Sequence, residues 1–237
     1  MPISNSYESH VAITKELKMN SDFLKVREPH KEAFEEIYNE AKNNKVNIST
    51  AKEFLNSLSK EELSTLQHYS GLADEIKVGK LNDEGAYNLL LHHYEKYDFD
   101  NDGFVMDGIA QTRTLIPTNM PDTEKKALVK SFNEMDEKDA FMSIMMINLP
   151  TSFKLENGEL IPMMDEHQNY DSIMKRINRI INPLPGEYSS PSLKAIMSTF
   201  KEIFEKNFNE IKEKEKNSKS EFNTNSEVFK AKLENSK

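Results

Sequence analysis

Residues 97–109 have the sequence YDFDNDGFVMDGI. Three aspartates occupy alternate positions, and Gly103 follows the third. This spacing lets a tightly turned loop aim all three carboxylates at one point, and glycine permits the sharp bend. Apolar residues recur at helical spacing from Asn82 to Tyr97 before the loop and over residues 105–116 after it. The pattern therefore predicts an acidic loop between an entering helix and a short exiting helix.

This stretch resembles the calcium-binding loop of the EF-hand family. In that family, oxygens at loop positions 1, 3, 5 and 7 surround the ion and glycine holds position 6, as it does here. The resemblance covers Asp98 to Ile109 and extends to the predicted flanking helices. It implies calcium as the cofactor, with these ligands: the side chains of Asp98, Asp100 and Asp102 and the backbone carbonyl of Phe104.

The end of the loop departs from the family pattern. The twelfth position, where the family has a bidentate glutamate, is Ile109, and the ninth is Met106. Asp107 at the tenth position could stand in as a ligand, directly or through a water. The loss of two of about seven oxygens predicts weak calcium binding, with a dissociation constant of roughly 10⁻⁴–10⁻³ M or higher. Without a twelfth ligand to move the exiting helix, we expect a weak or structural calcium site rather than a switch.

The same residues also suit a loop that binds no metal. Aspartate and asparagine favour turns because their side chains bond nearby backbone N–H groups. Two interpretations therefore stay open, a weak calcium site and an acidic turn that joins two helices.

EF-hands normally pair through a short strand at position 8, here Val105. Residues 29–58 are a candidate partner because they read as helix, connector and helix. The connector has no carboxylate, so the unit could only be a metal-free pseudo-hand in which Val46 or Ile48 pairs with Val105. An ordinary helical hairpin is the favoured interpretation, and a second copy of the protein is the other candidate partner.

Amphipathic periodicity predicts a mainly α fold. Residues 29–150 are predicted to form a helical domain that contains the EF-hand-like unit at 82–116. Residues 151–212 are predicted to add one small β-hairpin and two helices, packed on the first domain or separate from it. Asn157-Gly158 marks the hairpin turn because both turn positions require a positive φ.

Two capping boxes mark helix starts, one at Thr50 and one at Ser59, each with a glutamate three residues later. The polar residues 1–28 have no sustained period and are predicted to be flexible or loosely docked. The charged residues 213–237 are predicted to be a flexible tail.

Composition argues against several function classes. Lys+Arg 31 against Asp+Glu 40 gives a net charge of −9, which argues against a nucleic-acid partner. The chain has no cysteine, which excludes disulfides, thiolate catalysis and cysteine-ligated metals. No apolar run is long enough for a membrane span, and no cleaved signal peptide is visible. A cytoplasmic location is the default expectation, and export without a cleaved signal peptide is the alternative.

Histidines offer weak candidates for a catalytic or metal site. His92 and His93 are adjacent, whereas two ligands on one helix face need a spacing of three or four. His167 lies among acidic residues before a predicted helix, but no nucleophile or second motif accompanies it. Surface or partly buried histidines are the favoured interpretation. We therefore expect no enzyme, since catalysis would need these histidines to converge with the acidic loop.

Residues 141–149, FMSIMMINL, place three methionines among aliphatic residues. Methionine-rich faces serve as adaptable docking surfaces in some proteins, although core packing is favoured for a helix bounded by proline. The overall expectation is a non-enzymatic protein that acts through protein–protein contacts, with weak or structural calcium. The alternative is a metal-independent helical adaptor, chaperone or exported interaction factor, and neither interpretation identifies the protein partner.

Overall fold

The computed structural model describes residues 5–18, 25, 27–149, 152–156, 159–163 and 168–234. The described part is mainly α-helical, which confirms the predicted fold class. Its α-helices are α1 Asn5–Thr14, α2 Lys31–Asn43, α3 Ala51–Ser57, α4 Lys60–Ser70, α5 Asp83–Asn88, α6 Asp122–Glu134, α7 Glu137–Asn148, α8 Tyr170–Ile181 and α9 Pro191–Glu234. Its strands are β1 Val105–Asp107, β2 Ala110–Thr112, β3 Ser152–Glu156 and β4 Glu159–Met163, and two 3-10 helices span Glu28–His30 and Val78–Lys80.

A first hydrophobic cluster joins α2 to α5. Phe34 of α2 is fully buried, and its ring stacks on Tyr69 of α4 with 3.6 Å between the ring centroids. Leu55, Leu66 and Leu89 close the cluster from α3, α4 and the end of α5. Burial of each of these leucine side chains contributes about 1.5–3 kcal/mol to the stability of the fold. This cluster fixes α5, the helix that leads into the acidic loop.

A second hydrophobic cluster joins α1 with α6 to α9. Phe132 of α6 stacks on Phe200 of α9, with 5.2 Å between the ring centroids. The cluster includes Ile144 of α7 and Ile177 of α8, so it draws on residues from both sides of position 150. The two hydrophobic clusters are therefore separated near the acidic loop.

The predicted helix starts at Ser59 and Thr50 have different outcomes. Ser59 accepts the Glu62 N–H at 3.2 Å while the Glu62 carboxylate accepts the Ser59 N–H at 2.7 Å, which confirms that capping box. Thr50 precedes α3 but makes no side-chain cap, because its ψ of −4° departs from the extended backbone of a capping residue. Its hydroxyl accepts the Asn47 N–H at 3.0 Å instead.

Within residues 1–28, which are predicted to be flexible or loosely docked, Asn5–Thr14 form the docked helix α1. Tyr7, His10 and Ile13 are buried on one side of α1, which packs against α6. Thr14 at its end donates to the Tyr94 carbonyl oxygen at 2.7 Å. The apolar period of the segment is weak because its buried face is partly polar.

The segments on either side of the acidic loop differ from the predicted helix–loop–helix. The entering helix ends at Asn88 rather than Tyr97, and the chain then turns before it reaches the loop. The prediction of an exiting helix over residues 105–116 is wrong. That segment holds the antiparallel strands β1 and β2, with Val105 opposite Thr112. Gly108, at φ +64°, begins the turn between them.

Residues 29–58 form an ordinary helical connection rather than a pseudo-hand. The helices α2 and α3 are joined by a turn in which Lys45 has a φ of 54°. Among the described residues β1 and β2 form a two-stranded sheet with no further strand, so the pairing of Val105 with Val46 or Ile48 that a pseudo-hand requires is not formed there.

The predicted hairpin after α7 is present as β3 and β4, which pair antiparallel with Glu156 opposite Glu159. The turn residues Asn157-Gly158 lie outside the described residues. The backbone of α9 continues as a helix to Glu234, into the segment predicted to be a flexible tail. Its packing against the second cluster reaches Ile211. Among the described residues, no helix combines the length and apolar character needed to cross a membrane.

Candidate metal centre

Asp98 closes the acidic loop. Its Oδ1 accepts the Asp102 N–H at 3.1 Å and its Oδ2 accepts the Gly103 N–H at 2.9 Å. The loop passes through two left-handed residues, Asn101 at φ 61° and Gly103 at φ 91°. These residue types tolerate that conformation best, so the local sequence permits the turn. The backbone consequently wraps around a carboxylate whose residue is only 2% exposed.

Glu84 of α5 adds a further carboxylate to the acidic loop. This residue is not among the ligands predicted from the sequence. Its Oε2 accepts the N–H groups of Phe99 at 2.7 Å and Asp100 at 3.2 Å. Its Oε1 accepts the Met106 N–H at 2.7 Å. These bonds use three of about four lone-pair positions of the carboxylate. Glu84 therefore fastens both the start of the loop and β1 to α5.

Glu84, Asp98 and Asp100 form an acidic group in which one carboxylate oxygen of each lies within 4.8 Å of the others. Glu84 and Asp98 are buried, and Asp100 is exposed. None of the ion pairs formed by the described residues involves any of the three. The group therefore concentrates negative charge where burial is costly.

The pKa values of the two buried carboxyls reflect this environment. Burial raises the pKa of Asp98 to about 6. The neighbouring carboxylates of Asp102 and Asp100 also raise this pKa, whereas hydrogen bonds from the backbone N–H groups of Gly103 and Asn101 lower it. Burial also raises the pKa of Glu84, although the N–H groups of its three backbone partners act in the opposite direction. A cation in the group would favour the charged form of both residues.

The other predicted ligands lie outside this acidic group. Asp102 uses its Oδ1 to accept the Phe104 N–H at 2.8 Å. Asp107, the predicted stand-in for the twelfth ligand, forms a buried ion pair with Lys96. Asp107 thus already has a positive partner, and its role as a ligand, like those of Asp102 and the Phe104 carbonyl, stays a prediction.

The aromatic residues on either side of Asp98 contact α1. The Tyr7 ring centroid lies 5.4 Å from that of Tyr97 and 5.3 Å from that of Phe99. The His10 ring lies 5.3 Å from Tyr97. The acidic loop is therefore held between α5 on one side and α1 on the other.

His92 and His93 lie in the turns after α5 rather than on a helix. The Nδ1 of His92 is 3.2 Å from the Tyr69 hydroxyl, and its Nε2 is 3.5 Å from a Glu35 carboxylate oxygen. Burial lowers the pKa of His93 to about 4, with additional effects of neighbouring cations. Neither histidine belongs to the acidic group. His167 lies outside the described residues.

Comparison of the chain with protein-family models gives no match, and neither curated proteins nor solved structures give one. The class is therefore defined by geometry alone. It is a mainly α protein with a partly buried acidic group beside a short hairpin.

Proposed function

We propose that this is a non-enzymatic protein in which Glu84, Asp98 and Asp100 hold a divalent cation, with calcium as the best fit. The observation that carries the proposal is the approach of their carboxylate oxygens to within 4.8 Å of one another. Calcium prefers such oxygen ligands and accepts irregular arrangements of them. Glu84 would take the place that the EF-hand pattern gives to the twelfth loop residue. Asp102, the Phe104 carbonyl and waters would complete the coordination.

The proposed role of the ion is structural. Glu84 already fastens the loop to α5, and the Gly108 N–H donates to the Gly85 carbonyl oxygen at 3.1 Å. The segment after the loop is a hairpin, so the exiting helix that calcium moves in a switch is replaced by two strands. A bound ion would strengthen the junction between α5, the loop and α1. Protein–protein contacts made by this scaffold would then perform the function.

Calcium titration of the full chain by calorimetry and NMR tests the proposal. We expect saturable binding with a dissociation constant of roughly 10⁻⁴–10⁻³ M. Asp98→Asn and Asp100→Asn should each weaken it by at least about tenfold, since even second-shell changes have effects of that size. Asp83→Asn is the matched control, because Asp83 lies next to Glu84 but pairs with Lys52 at 2.8 Å. The absence of any saturable heat or shift up to millimolar calcium would overturn the cation proposal.

One observation favours the metal-independent alternative. Glu84, Asp98, Asp100 and Asp102 each accept at least one backbone N–H, so hydrogen bonds already hold the loop closed. Under that alternative, a helical adaptor would use the acidic group only as a turn. Asp98→Asn would then lower the free energy of unfolding, but calcium would not stabilise the unchanged chain.

A further inference from the structure

The outer face of α7 and the residue that follows the helix carry four large apolar side chains that are between 36% and 46% exposed: Phe141, Met142, Met145 and Leu149. The inner face packs into the second hydrophobic cluster through Ala140, Ile144 and Ile147. Of the three methionines, only Met146 packs against that cluster. The helix is therefore apolar on both faces, which is typical of a helix covered on all sides.

Three of the exposed side chains form one row along α7. Phe141 and Met145 lie four residues apart on the helix, and Leu149, directly after the last helical residue, continues this interval. Met142 lies beside the row. Rows of this kind interdigitate with the same row of a second helix, at a crossing angle of about −50°. Contiguous exposed apolar surface on a protein marks an interaction site. The α7 row, defined as these four residues, thus has the shape of one half of a helix–helix contact.

The two ends of the α7 row carry opposite charge. Residues 136–139, at the start of α7, hold three carboxylates and one lysine. At the other end, the Arg176 guanidinium of α8 donates to the Leu149 carbonyl oxygen at 2.8 Å and also to that of Ile147. Arg113 also lies at this end of α7, because it lines the same small cavity as Asn148. The row therefore runs from an acidic end to a basic end.

We propose that the α7 row is the contact surface between two copies of this chain, with the two α7 helices antiparallel about a two-fold axis. An antiparallel arrangement brings the acidic end of each copy opposite the basic end of the other. The same patch then serves both copies, as two-fold symmetry requires. This proposal is independent of the cation site.

The size of the row predicts how tightly the copies associate. Four partly exposed side chains per copy bury less than the roughly 1,200–2,000 Å² of a standard interface. We therefore expect a weak dimer with a dissociation constant on the order of 10 µM. Charge complementarity would contribute more to the register of the two helices than to affinity.

Sedimentation velocity of the full chain, from about 1 to 300 µM, tests the proposal around this expected constant. The unchanged protein should shift from monomer to dimer, and Met145→Glu should stay monomeric. Leu184→Glu is the matched control, because Leu184 is 56% exposed in the connection before α9 and outside the α7 row. It should dimerise as the unchanged chain does. A monomer throughout the concentration range, or a dimer that Met145→Glu leaves intact, would overturn the proposal.

The absence of cysteine from the chain permits a second test that needs no charge in the apolar face. In Met145→Cys, mild oxidation should join two copies, since Met145 is at the centre of the row and would lie near the axis. Leu184→Cys should cross-link far less. A mixture of Glu137→Cys and Leu149→Cys should cross-link more than either alone, because antiparallel helices bring opposite ends together. Equal cross-linking of Met145→Cys and Leu184→Cys would contradict the contact.

Discussion

The Glu84 carboxylate accepts the backbone N–H of Met106 at 2.7 Å and so joins α5 to β1 across the acidic loop. Its second oxygen accepts the N–H groups of Phe99 and Asp100 at the start of the loop. A single buried side chain outside the loop therefore holds both of its ends. Burial of this charge is costly, and the three backbone partners offset part of that cost.

Glu84→Gln tests this fastening. Glutamine has almost the same shape, but its NH₂ group cannot accept a hydrogen bond, so at least one backbone N–H loses its partner. We expect the free energy of unfolding to fall by about 1–3 kcal/mol and calcium affinity to fall with it. Urea unfolding with and without calcium measures both effects, and Asp83→Asn on the same helical turn is the control. Equal stability of Glu84→Gln and Asp83→Asn would contradict the role of Glu84.

Gly85 lies where α5 approaches the β1–β2 turn most closely. A Cβ added at Gly85 would be 2.0 Å from the carbonyl oxygen of Gly108, which is backbone and cannot rotate away. We expect Gly85→Ala to lower the free energy of unfolding by about 1–3 kcal/mol or more, as overpacking does. Gly79→Ala is the control, because no atom lies within 4 Å of its added Cβ. Thermal unfolding should separate the two variants, and equal melting temperatures would show that the backbones can move apart.

The Lys96–Asp107 pair is buried beside the loop, and Lys96 also donates to the Ser70 hydroxyl at 3.1 Å. Burial lowers the pKa of Lys96, while Asp107 acts in the opposite direction. Asp107→Asn removes the negative partner of the buried Lys96 ammonium. We expect the free energy of unfolding to fall by about 3–5 kcal/mol as a result. The double variant Lys96→Met/Asp107→Leu should lose less, because it removes both charges of the pair together. Should the double variant be the less stable of the two, the pair would be stabilising in its own right.

His10 makes stability depend on pH through α1. Burial lowers the pKa of His10 to about 3, and Lys125 acts in the same direction. In the unfolded chain His10 has its ordinary pKa of about 6.5, so as the pH falls the unfolded chain binds this proton before the folded chain does. Stability is therefore lost from about pH 6.5 downwards, by up to about 1.4 kcal/mol per pH unit.

Comparison with His10→Asn isolates this effect, which Asp98 would otherwise obscure. The raised pKa of Asp98 means that stability falls as the pH rises from about 4 to 6, which opposes the contribution of His10. Urea unfolding of both proteins between about pH 5 and 7.5 should show their stabilities converging as the pH falls. Parallel curves would exclude His10 as the source of the pH dependence.

The parts of the fold that depend on neighbouring residues could be predicted from the sequence. The Ser59 capping box and the β3–β4 hairpin are set within a few positions of the chain. The loop from Asp98 to Gly103 is equally local, because the Asp98 carboxylate accepts N–H groups four and five residues later. Glu84 could not be identified in this way, since an acidic residue in the first turn of a helix is ordinary.

The entering helix could not be delimited because distant contacts end it. The Asn88 side chain donates to the carbonyl oxygens of Tyr97 and Met106 and accepts the Tyr97 N–H. These bonds turn the chain where the apolar period alone would continue it. Residues 89–91 are three consecutive buried leucines, so their burial does not distinguish a helix face from a turn.

The helix α1 also bears on the order in which the chain folds. Its Ser9 donates to the Asp122 carboxylate, 113 residues away, and the N–H of Lys18 donates to Asn133 across 115 residues. Loops of that length are closed at an entropic cost that is recovered only once α6 is in place. We therefore expect α1 to dock late, and substitutions in it to accelerate unfolding more than they slow folding. Because Tyr7 and His10 contact the residues around Asp98, the acidic loop would reach its final packing only in that last step.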